Sequence, residues 1–246
     1  FDNNEVERQR GITVFSKEGN FQYKGSTYYL IDTPGHVDFS PEMERSLKML
    51  DCAVLVISGV EKVQAHSETI FNLLKEYNIP TIIFVNKMDR DIVNKSEIKT
   101  NLKENLSKDI FDFTNELNND MSENLIEFIA EKDEVLLGKF FEDKYDYDLW
   151  IDTIRTLFLS NNLYPCIFGS ALYDKNIDVL LELLHKLSRT NYNEEDKLKA
   201  KVYKIKTEEN NQKLTFIKIL SGELKLKDEV SYKYNDEILN EKINDL

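Results

Sequence analysis

Four short apolar runs, at residues 27–31, 53–57, 81–85 and 164–168, each end in polar or turn-forming residues. Runs of that length suit strands buried on both faces of a parallel sheet. Helical spacing lies between them. Ile70, Leu73, Leu74 and Tyr77 recur every three or four residues, as do Ile177, Leu180, Leu181 and Leu184, so each segment can lay one apolar stripe on a sheet. Ser40 followed by Pro41 reads as the N-cap and first position of a further helix, with Met43, Leu47 and Leu50 turned inward. Strands alternating with helices predict an open α/β sheet.

Two stretches break that alternation. Residues 91–162 contain no proline and one glycine, with Ile98, Leu102 and Leu106 at helical spacing; a helical insertion into the α/β domain is expected there. After Lys197 the period shortens to alternating stretches at 202–205, 214–220 and 224–234, with Ser221-Gly222 as a turn. These read as the start of a β-barrel or sandwich. The expected division is an α/β domain over residues 1–192 and an incomplete β domain over 197–246.

Charge narrows the choice of partners. The chain carries a formal net charge of −13, and the 17 acidic against 8 basic side chains of residues 91–162 supply −9 of it. Gripping nucleic acid through its phosphates needs clustered Lys and Arg, so such a partner must be met locally if at all. The acidic segment is either a solvated face or a docking surface for something basic. With 41% apolar residues and no run near the ~20 that a bilayer span requires, a soluble protein is expected, with no membrane partner. No secretory signal pattern is visible from Phe1 onward. Cys52 and Cys166 each sit inside an apolar run and read as small hydrophobes in a reducing cytoplasm rather than as a staple or metal site.

The candidate chemistry gathers where predicted strands end, the crevice in which open α/β sheets bind ligands. The run to Ile31 leads into Asp32-Thr33-Pro34-Gly35-His36. An aspartate there can hold a hydrated Mg²⁺, and a glycine lets a backbone N–H approach a phosphate; all but the histidine are also ordinary turn residues. The run to Val85 leads into Asn86-Lys87-Met88-Asp89. A carboxylate there can accept two hydrogen bonds from a guanine edge while the Lys stem covers the base, although a polar cluster after a strand can equally be a helix cap. The run to Phe168 delivers Gly169-Ser170-Ala171, whose backbone and hydroxyl can meet the base from the other side. Upstream, Thr13 offers a second hard oxygen for Mg²⁺.

These residues resemble the translational GTPases, and within them the elongation factor G group. The segments Glu7-Arg8-Gln9-Arg10-Gly11-Ile12-Thr13, Asp32-Thr33-Pro34-Gly35-His36-Val37-Asp38-Phe39 and Asn86-Lys87-Met88-Asp89 look like that group's switch I, switch II and guanine-recognition motifs. The resemblance covers nearly the whole chain and implies a P-loop-NTPase-like G domain with a helical insertion, followed by part of a β-barrel domain. It further implies GTP or GDP with Mg²⁺, a monomer that acts on the ribosome and its stalk proteins, and a set of residue roles. Thr13 and Asp32 would serve Mg²⁺. Asp32, Thr33, Pro34 and Gly35 would meet the phosphates. His36 would orient the attacking water. Asn86, Lys87, Met88, Asp89, Ser170 and Ala171 would hold the guanine.

One departure is an absence: no G-x-x-x-x-G-K-[ST] loop occurs in the chain. The chain therefore reads as lacking the family's first strand and phosphate loop, and as binding nucleotide poorly by itself. The 80 positions from Asp89 to Gly169, together with the Glu7 to Arg10 segment, look closer to the tetracycline-resistance ribosomal protection proteins than to an ordinary elongation factor G. An elongation factor G, a release-factor-recycling GTPase, a catalytically silent ribosome-binding module and an unrelated hydrolase using Asp32 and His36 remain as alternatives.

Overall fold

A computed structural model describes residues 17–33, 47, 49–116, 121–142, 144–190, 192–207, 213–235 and 237–245. The chain divides into two compact units, residues 1–189 and 190–246.

The first unit is built on a four-stranded parallel sheet. Its strands are β3 (Ala53–Ser58), β4 (Thr81–Asn86), β5 (Ile110–Asp112) and β6 (Tyr164–Phe168), in the order β3-β4-β6-β5. The crossovers carry helices α1 (Ala65–Glu76), α2 (Lys95–Asn105), α3 (Glu123–Ala130), α4 (Glu134–Phe141) and α5 (Tyr147–Leu159), and α6 (Ile177–Leu187) follows β6. Period-two alternation along the strands feeds two cores. Ile83, Val85, Cys166 and Phe168 point into one layer with Phe71 of α1 and Ile98 and Leu102 of α2. Ile82, Phe84 and Ile167 point into the other with Trp150, Phe158, Leu183 and Leu187 from α5 and α6. Each such fully buried side chain contributes roughly 1.5–3 kcal/mol. The one buried indole N–H donates to the Ile126 carbonyl at 3.1 Å, so Trp150 enters the core without an orphaned donor.

Several expectations hold. The runs at 53–57, 81–85 and 164–168 are strands of the parallel sheet, although β3 buries only one face and leaves Val56 58% exposed, and the stripes at Ile70 and Ile177 belong to α1 and α6. Both cysteines are free and surrounded by apolar neighbours. Burial, with Asp51 beside it, pushes the Cys52 thiol up to about 12, and burial raises that of Cys166 too. The helix expected from Ser40 lies outside the described residues, but Leu47 is buried against Leu74 and Ile79, with Leu50 packed on the same cluster.

Three expectations are corrected. The run at 27–31 is a strand, but not one buried in the parallel sheet: β2 (Ser26–Asp32) pairs antiparallel with β1 (Lys17–Tyr23) in a separate two-stranded sheet, and Tyr29 is 80% exposed. An apolar run alone does not reveal which partner it meets. Residues 91–162 are not purely helical, because Ile110 and Phe111 pair with Tyr164 and Pro165 and extend the sheet as β5. In the second unit, β7 (Lys199–Thr207) pairs with β8 (Lys213–Ser221) as the alternation suggests. The stretch at 224–234, however, is a strand only from Glu229, as β9 (Glu229–Tyr234), and its partner β10 (Glu237–Lys242) was unforeseen. The residues before β9 are held as a turn by the Asp228 carboxylate, which accepts from the Lys225 N–H at 2.7 Å.

Candidate functional site

In the parallel sheet the strand ends are brought level by register, since Ser58 pairs with Asn86 and Val85 with Phe168. Three loops therefore leave the same edge side by side. The Asn86 side chain ties two of them: its Oδ1 accepts from the Lys87 N–H at 2.7 Å and from the Ala171 N–H at 2.9 Å. Lys87 takes a left-handed φ of 64°, which turns the chain sharply enough for both N–H groups to reach one oxygen. Backbone bonds complete the seam: Met88 N–H donates to the Gly169 carbonyl at 3.1 Å, and Gly169 N–H to that of Val85 at 2.9 Å.

Gly169 has no room for a side chain. A Cβ there would stand 2.4 Å from the Lys175 carbonyl oxygen and 2.6 Å from the Phe84 ring. The loop beyond it closes on itself through paired backbone bonds between Ser170 and Lys175, and Asn176 Nδ2 donates to the Phe168 carbonyl at 2.6 Å. Ala171, Leu172 and Tyr173 are left exposed at its tip. The third loop enters through Gly59, whose N–H donates to the Asn86 carbonyl at 2.8 Å, and whose missing Cβ would press on Met88 Sδ at 3.1 Å.

The electrostatics centre on Asp89 and Ser170. Ser170 is buried, and its hydroxyl has no hydrogen bond of ordinary geometry among the described residues. It is nonetheless the strongest influence holding the Asp89 carboxyl below its usual range; burial opposes it, and the charges of Arg90 and Lys175 assist. A carboxyl held toward its ionised form at the edge of the sheet is an acceptor that a ligand edge carrying N–H donors would meet.

Of the residues singled out in sequence, Asn86, Lys87, Met88, Asp89, Ser170 and Ala171 are therefore drawn into one cluster. Asp32 and Thr33 stand partly buried at the end of β2, on the other sheet. Thr13, Pro34, Gly35 and His36 lie outside the described residues. Three contributors went unnoticed in sequence: Gly59, Lys175 and Asn176. Gly59 was findable, since it follows a predicted strand as the recognised motifs do; Lys175 and Asn176 act through a loop closure with no local sequence mark.

Among known proteins, the chain is 35% identical to the tetracycline resistance protein TetM from transposon Tn1545 of Enterococcus faecalis over 96% of its length. It is 34% identical to the tetracycline resistance protein TetP of Clostridium perfringens over 93% of its length. It spans 38% of each of these relatives. A solved structure from Thermus thermophilus superposes with a TM-score of 0.80, at 18% identity, over 98% of this chain and 44% of that one, a likeness of fold. Residues 1–190 match the family described as Elongation factor Tu GTP binding domain, and the chain belongs to that family.

Proposed function

We propose that this chain is the guanine-recognising part of a ribosome-stimulated GTPase of the tetracycline-resistance ribosomal protection type. The observation that carries the nucleotide assignment is the Asn86 tie, which holds Asp89 and the Ser170-Ala171 backbone on one edge of the sheet. Asp89 would accept from the N1–H and 2-amino group of guanine, and the Ala171 region would meet its O6. The exposed Lys87 stem would lie along the base. Relatives that carry the words tetracycline resistance in their names, at about one-third identity, favour the protection type over elongation factor G.

Asp32, a hard oxygen donor at a strand end, fits Mg²⁺, which keeps several waters and takes few protein carboxylates. When bound, Mg²⁺ would neutralise phosphate charge. Thr13 would be its second protein ligand, Gly35 would meet the γ-phosphate, and His36 would orient the attacking water. No described helix is long and apolar enough to cross a membrane, and the reading is of a monomeric cytoplasmic factor.

The test uses the full-length protein. It should accelerate release of tetracycline from ribosomes in a GTP-dependent way and fail to support translocation alone. His36→Ala should keep GTP binding while stimulated hydrolysis falls by more than ~100-fold, the scale of a lost water-positioning group. Translocation without tetracycline release would assign the protein to elongation instead, and a loss of hydrolysis below about threefold would remove His36 from catalysis.

A further inference from the structure

The β1–β2 hairpin makes no backbone pairing with the parallel sheet among the described residues, yet it ends in Asp32. Among the described residues, side chains of the hairpin meet α6. At its tip, Tyr23 OH donates to Glu182 Oε2 at 3.0 Å, and Lys24 Nζ reaches the same oxygen at 2.5 Å. One helical turn along, His185 meets Tyr28 OH at 3.4 Å and the Tyr23 ring edge-on at 6.0 Å. Glu182 and His185 are three residues apart, on one face of α6.

We infer that Glu182 is a positioning residue for Asp32: by clamping the hairpin tip to α6, it fixes the strand end at which Asp32 is presented. Side chains alternate along a strand, so Tyr28 and Asp32, four residues apart, lie on the same face of β2. The anchored face is the one that carries the carboxylate. The hairpin runs without a break from the anchored tip to Asp32. Its register is unbroken from Tyr23↔Ser26 to Lys17↔Asp32, and Phe21 stacks on Tyr28 at 5.1 Å.

The clamp also meets the turn residue itself. Lys24 and Gly25 form a two-residue connection with φ of 48° and 80°, the mirror-image geometry that suits a hairpin but that only the glycine adopts freely. Lys24, the left-handed residue, is the one whose ammonium Glu182 holds. The charges agree: hydrogen bonding to Lys24 is the main cause that lowers the Glu182 carboxyl, and Glu182 raises the Lys24 ammonium. Glu182 also faces Lys186 at 3.7 Å, whose ammonium donates to Tyr147 OH of α5 at 3.0 Å, so the clamp continues into the inserted helices.

The role assigned to Asp32 rests on the proposed function, so the test has two arms in the full-length protein. Without nucleotide or Mg²⁺, Glu182→Ala should raise amide exchange across the hairpin by about tenfold or more while leaving β4 and β6 unchanged. With them, it should raise the Mg²⁺ concentration for half-maximal GTP hydrolysis roughly fivefold without altering preference for GTP over XTP. Glu182→Gln, which keeps an acceptor oxygen, should restore most of both. Unchanged exchange overturns the clamp. Faster exchange with an unchanged Mg²⁺ requirement overturns the positioning role alone. An unmutated protein that binds no guanine nucleotide overturns the site reading and with it the role of Asp32, but leaves the exchange arm to report on the clamp.

Discussion

Asn86 and Asp89 lie three positions apart and do different work. Asn86 spends its side-chain oxygen on two backbone N–H groups, so its part is architectural, and losing it would free the Ala171 loop. Asp89 has its carboxyl lowered by Ser170 and by the cations Arg90 and Lys175, which leaves a charged acceptor at neutral pH. Asp89→Asn in the full-length protein should therefore weaken GTP and favour xanthosine nucleotides, because the amide offers a donor where guanine supplies one. A nucleotide titration with equal GTP affinity in both proteins would remove Asp89 from base recognition.

Among the elements, α2 and β5 are joined by two ion pairs on one carboxylate. The Asn94 side chain caps α2 by accepting from the N–H groups of Ser96 and Glu97. Lys95 and Lys99, one turn apart on it, each reach Asp112 Oδ2 at 2.8 Å. Burial alone would raise the Asp112 carboxyl; the two ammoniums and Thr114 outweigh it and hold the group at about 2. A carboxyl whose folded value lies below its unfolded one stabilises the fold above the unfolded pKa of about 3.9, and that stability is lost as pH falls toward the folded value. Asp112→Asn should thus cost on the order of 2 kcal/mol at neutral pH, with about half the difference gone by pH 3. Urea denaturation of both proteins at several pH values measures this, and a pH-independent difference would mean that packing, not charge, holds β5 to α2.

At the scale of the molecule, the −9 of residues 91–162 is carried largely by exposed carboxylates on α3, α4 and α5 and their connections. Their exposure suits an encounter with a basic surface. Exposed charges are screened beyond a Debye length of about 10 Å at 0.1 M salt, and steered encounters slow as salt rises. Ribosome-stimulated turnover at limiting ribosome concentration should fall at least about threefold between 0.05 and 0.3 M salt. A flat salt profile would return the segment to a merely solvated face and leave the nucleotide assignment untouched.

Local chemistry is what could be read directly from the order of residues. The strands at 53–57, 81–85 and 164–168 were legible because each is apolar on both faces, and the polar groups at their ends because strand ends in such sheets are where ligands meet the chain. Which strands are neighbours became visible in the folded chain alone. Tyr29 and Leu30 look like core residues in sequence and are exposed on a separate hairpin, since pairing is a long-range choice that a local run does not encode. The same holds for Gly169, which is confined by Phe84 and Lys175, and for Glu182, which meets Lys24 from 158 positions away. Hydrophobic period is written residue by residue, whereas contact between distant segments exists only once the chain has closed on itself.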